Sequence, residues 1–139
     1  MSAKTIIAGL IWLAIALFSL LGLLSLFVMS VIEPTFFSYW YISLISVPYT
    51  FILLILSLAL AIGLFLRKKW SFKLGVAVPL IDIVMGILLS VILFMIPNIV
   101  PKSIEADVVS VGVAGTAIIA IIEIAALVLV LKSKNELIS

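Results

Sequence analysis

The chain has no cysteine and no histidine, and among its 139 residues only 8 are basic and 6 acidic. Without cysteine there is no disulfide and no thiolate nucleophile. Without histidine there is no His-ligated haem and no Ser-His-Asp triad, and the two absences together exclude zinc sites of the usual Cys/His type. No glycine-rich phosphate loop follows a strand-like segment. No cofactor and no metal site is therefore expected from this chain, and redox work would need another subunit.

What is present is sequence soluble in hydrocarbon. Hydrophobic residues make up 67% and charged residues 10%, with a mean hydropathy of +1.58. Soluble domains are about half apolar and about a quarter charged. Four apolar segments are long enough to cross a bilayer core, which takes roughly 20 helical residues: residues 5–32, 43–66, 72–96 and 108–131. The spacing predicts an all-α bundle of four transmembrane helices, a single domain over residues 1–139. The first segment is too long for the apolar region of a signal peptide, and "FVMSVIEPT" offers no small-residue cleavage site, so it is read as a true span. No lipidation signal is recognised.

The basic residues set the expected orientation. Lys4, the "RKKWSFK" segment with Arg67, Lys68, Lys69 and Lys73, and Lys132 and Lys134 all fall on one side of a four-span arrangement. The other side has only Lys102, among Glu33, Glu105 and Asp107. Cytoplasmic loops concentrate Lys and Arg, so a multi-pass protein of the cell membrane is expected, with both termini cytoplasmic. Arg67, Lys68, Lys69, Trp70 and Lys73 read as interface anchors that touch lipid headgroups. The net charge of +2 reflects this topology, and no nucleic-acid partner is expected.

On the opposite side, "EPTFFSYWYIS" places five aromatics in eleven positions, the pattern of an interfacial aromatic belt. Pro34 is expected to end the first helix. In "IPNIVPKSIEAD", Pro97 and Pro101 are expected to stop the third helix and open an exposed loop.

Within the spans, small and polar residues form stripes. Gly75, Pro79, Asp82, Gly86 and Ser90 recur at steps of three and four, as do Gly112, Thr116, Ala120 and Glu123. Such faces allow helices to approach closely, and Gly75, Pro79 and Gly86 also read as a hinge. Leu129 is expected on a lipid-facing or tolerant surface.

Asp82 and Glu123 are the chemically significant pair. Asp82 lies nine residues after Lys73 and Glu123 nine before Lys132, a depth of about 13 to 14 Å for each at the helical rise. Apart from Lys73 at the entry of the third span, nine residues from Asp82, no Lys, Arg or His lies inside a span to neutralise them. A charged Asp at a helix centre costs about 2.5 to 3.5 kcal/mol on insertion scales, and two adjacent carboxyls resist ionising together. The expected resting state is protonated, with a proton shared where the two meet. A bound cation or a basic residue from a partner chain would be the other solutions.

Two readings of function follow. In the first, the carboxyls are neutral packing groups, and the protein is a non-enzymatic accessory or assembly subunit of a larger membrane complex, or a homo-oligomer. In the second, Asp82 and Glu123 form a proton or cation site in a small transporter or channel. The first is the primary expectation and the second its alternative.

Overall fold

A computed structural model describes residues 3–96, 99–102 and 105–138, with the side chain of Val108 excepted. Pro97 and its expected helix stop lie outside the described residues. The chain is all-α, with no strand among the described residues. The long helices are α1 (Ala3–Ile32), α2 (Val47–Phe65), α3 (Lys69–Met95) and α4 (Glu105–Lys132); a short α5 (Lys134–Ile138) follows. Four helical stretches are long and apolar enough to cross a membrane: α1, Ile42–Phe65, α3 and α4. Consecutive helices pack side by side and α4 returns to α1, so the four form a ring. Contact is most extensive between α1 and α2, and thinnest between α2 and α3.

Local chemistry explains the boundaries. α1 ends at Ile32, one residue before the Glu33–Pro34 junction, where proline disfavours helical backbone in its predecessor. The entrance to α2 is a widened π-type turn over Ile42–Ser46, in which the Val47 N–H donates to the Ile42 carbonyl five residues back. Pro48 follows directly; its ring would clash with the carbonyl of Leu44 in a regular helix, and the wider turn relieves that conflict. Between α2 and α3 the chain reverses in three residues. Arg67 takes a left-handed conformation, φ 52°, and Lys68 N–H bonds the Gly63 carbonyl at 2.8 Å, which closes the end of α2 as a Schellman-type cap.

That tight reversal moves one expected boundary. α3 begins at Lys69, so Lys69, Trp70 and Lys73 occupy its first turns and not a loop. Trp70 lies half-exposed over the end of α2, where a methyl group on Gly63 would meet its ring at 2.5 Å.

The interior divides into two apolar clusters. At the basic end, Ala8, Trp12, Ile15, Leu60, Ala61, Leu64, Val78, Ala126, Val130 and Leu137 form the first. Leu137 belongs to α5, which folds back so that this side chain is buried. Leu129 also packs against this cluster, and the expectation of a lipid-facing Leu129 is thereby corrected. At the opposite end, Phe36, Tyr41, Ile42, Leu93, Ile99 and Val100 form the second. Two expectations change here. Phe36 and Tyr41 turn inward, leaving Phe37 and Trp40 exposed, and Ile99 and Val100 are buried where an exposed loop was expected. The reason is common to both: apolar side chains in two connecting segments find each other across the bundle mouth and leave water together.

Candidate functional site

Asp82 stands midway along α3, thirteen residues from either end. Its carboxylate accepts a hydrogen bond from the Tyr49 hydroxyl of α2. Glu123, nine residues before the end of α4, is fully buried. The Asp82 carboxyl is its neighbour on α3. Neither Glu123 oxygen has a hydrogen-bond partner among the described residues, so the two carboxyls adjoin without a hydrogen bond. The structure thus brings together the two acidic residues that matched depth singled out.

Their surroundings differ. Asp82 lines a cavity of about 390 Å³ between the two apolar clusters, bounded by Tyr41, Leu93 and Val111 on one side and by Ile119 and Ala120 toward mid-bundle. It is the one carboxylate among the cavity's lining residues. Glu123 lies behind it, outside the lining. Two of the other polar side chains in the wall are committed locally: Thr50 Oγ1 donates to Ser46 O at 2.6 Å and Thr116 Oγ1 to Gly112 O at 2.7 Å. Burial raises the Tyr41 phenol above its ordinary value, so this ring stays neutral.

The small-residue stripes divide between packing and cavity. A methyl group on Gly86 would stand 2.6 Å from Thr116 Cγ2, and one on Gly75 2.9 Å from Val130 Cγ1; at these two points α3 and α4 are as close as glycine allows. Gly112 makes only ordinary contact with Leu93, and nothing lies near Gly115. With Gly112 and Ala120 also in its wall, the cavity occupies part of the face expected to be tightly packed. Pro79 is buried inside an unbroken α3, where it has no N–H to give the Gly75 carbonyl.

Two groups escaped the sequence. Tyr49 was hidden because tyrosine near a helix end reads as an interface residue; its signal is the adjoining Pro48, which aims the first turns of α2. Trp12 is fully buried, and its Nε1 has no hydrogen-bond partner among the described residues. It stands nine residues into α1, the same count that separates Glu123 from the end of α4, so two unsatisfied polar groups share one depth on neighbouring helices. Lys68, Lys69, Trp70 and Lys73 gather at the end of the bundle holding Leu137, remote from the cavity.

Comparison with family models, curated proteins and solved structures yields no match.

Proposed function

We propose that this protein is a small proton-coupled cation carrier of the cell membrane, with both termini and the Leu66–Lys68 turn in the cytoplasm. The observation that carries this reading is Asp82: a single carboxylate on the wall of a mid-bundle cavity, with the enclosed Glu123 adjoining it. With both carboxyls protonated the site is neutral. A monocation that binds displaces one proton and leaves it neutral again, so that no net charge is buried in either state. Exchange of one proton for one monocation is then the cheapest cycle the site can run.

Gly75, Pro79 and Gly86 flank Asp82 on α3, and a missing backbone hydrogen bond beside two glycines supports a hinge there. A buried Glu123 suits the accessory-subunit reading, in which the carboxyls are neutral packing groups, as well as the carrier. What favours the carrier is that Asp82 lines a cavity, where a carboxyl that only packs helices together would not be needed.

The test is proton movement in reconstituted vesicles carrying a pH gradient, challenged with Na⁺, K⁺, tetramethylammonium and tetraphenylphosphonium. Wild-type protein should dissipate the gradient in response to at least one of these. Asp82→Asn and Glu123→Gln keep shape and hydrogen bonding, so both should fold, elute as wild type and lose the response. No response to any cation, together with recovery of stoichiometric partner chains after gentle extraction, would return the protein to the assembly class.

A further inference from the structure

A second opening reaches the same carboxylate. A crevice of about 100 Å³ runs into the α2–α3 seam, lined by Tyr49, Ile52, Leu53, Leu56, Val78, Ile81 and Asp82. Ile52 and Ile81 are among the exposed apolar side chains on the outside of the bundle. Tyr49, Leu53 and Asp82 belong to both the crevice and the large cavity. The Tyr49–Asp82 hydrogen bond therefore lies where a lipid-facing cleft meets the larger cavity, which is itself half-open, with the exposed Val111 in its wall. Both ends of the bundle are filled by apolar clusters, and the α2–α3 seam is the thinnest packing between neighbouring long helices.

The chamber's chemistry selects among cations. Hard metal ions take about six or more oxygen ligands; the wall offers one carboxylate and a few hydroxyls, of which Thr50 and Thr116 are turned onto their own helix carbonyls. A chamber of 390 Å³ falls instead in the range of about 300 to 1,000 Å³ typical of sites for organic molecules. Its wall is mainly apolar, with one carboxylate for charge and the Tyr41 and Tyr49 rings able to face a cation.

Building on the carrier reading, we propose that the substrate is a lipophilic organic monocation that comes from the bilayer through the α2–α3 crevice, parts Tyr49 from Asp82, and is held in the chamber by the Asp82 carboxylate. The proton balance is that of the carrier cycle: one proton leaves the Asp82–Glu123 pair as one monocation enters. Apolar access explains why the crevice is lined almost wholly by aliphatic side chains, which a hydrated ion would not cross.

The experiment uses tetraphenylphosphonium as probe and the whole chain in lipid nanodiscs. Wild type should bind the probe and release one proton per cation, with binding weakened as pH falls. Asp82→Asn should weaken binding about tenfold to a hundredfold, the scale of one charge-assisted contact, while eluting and melting like wild type. Ile81→Trp, which fills the crevice from the lipid side, should slow probe association about tenfold, the low end of the spread of association rates among variants of one binding site; Ile124→Trp, exposed on α4, should not. Binding that ignores Asp82→Asn, or association that ignores Ile81→Trp, overturns the proposal. A protein that moves protons against Na⁺ or K⁺ yet binds no tetraphenylphosphonium overturns it too, while leaving the carrier reading intact; the absence of coupled proton movement with every cation removes both.

Discussion

The Tyr49 hydroxyl of α2 donates to the Asp82 carboxylate of α3, joining two helices that otherwise share the thinnest seam in the ring. Hydrogen bonds between membrane helices average about 0.6 kcal/mol and reach about 1.7 kcal/mol. Tyr49→Phe should lower stability within that range in a reversible unfolding titration, with helix content unchanged. A variant as stable as wild type would show that the hydroxyl holds nothing.

Gly86 and Gly115 offer a contrast between a filled and an empty neighbourhood. Alanine at Gly86 must displace Thr116, and overpacking costs about 1 to 3 kcal/mol. Alanine at Gly115 meets nothing within 4 Å and gains helix propensity, about 1 kcal/mol in an exposed helix. Gly86→Ala should therefore melt lower than wild type and Gly115→Ala as high or higher. The reverse order would mean that α3 and α4 do not meet at Thr116.

The short tail helix is structural. Leu137 is buried among the side chains of the basic-end cluster, and truncating a buried leucine costs about 2 to 5 kcal/mol. Leu137→Ala should lower the melting temperature in detergent markedly, whereas Ile138→Ala, on an exposed position of the same helix, should leave it within a degree or two of wild type, as surface changes do.

Topology can be read by cysteine labelling, since the chain has no cysteine of its own. Exposed positions make the best reporters; Ser71, beside the basic turn, is fully buried and would react slowly from either side. Lys69, Lys102 and Lys134 are exposed. In intact cells an impermeant maleimide should label Lys102→Cys and spare Lys69→Cys and Lys134→Cys until the membrane is opened. Labelling of Lys69→Cys from outside would invert the orientation proposed above.

How much of this the chain states on its face follows from which quantities add along it. Hydropathy is a sum over neighbouring residues, so four membrane-length helices were legible and their observed bounds lie within a few residues of expectation. Depth is also counted along one helix, which is why Asp82 and Glu123 could be paired before any fold was known. Rotation about the helix axis is different. In a soluble helix a polar face marks the outside, but here both lipid and interior are apolar, so the pattern that would orient each helix is nearly erased. Only the packing of segments far apart in sequence turned Asp82 toward a chamber, enclosed Glu123 behind it and set Tyr49 across the seam. The same long-range contacts buried Ile99, Val100 and Leu137, which local sequence assigns to connections and a charged tail, because their apolar partners lie on helices that the chain reaches only after folding.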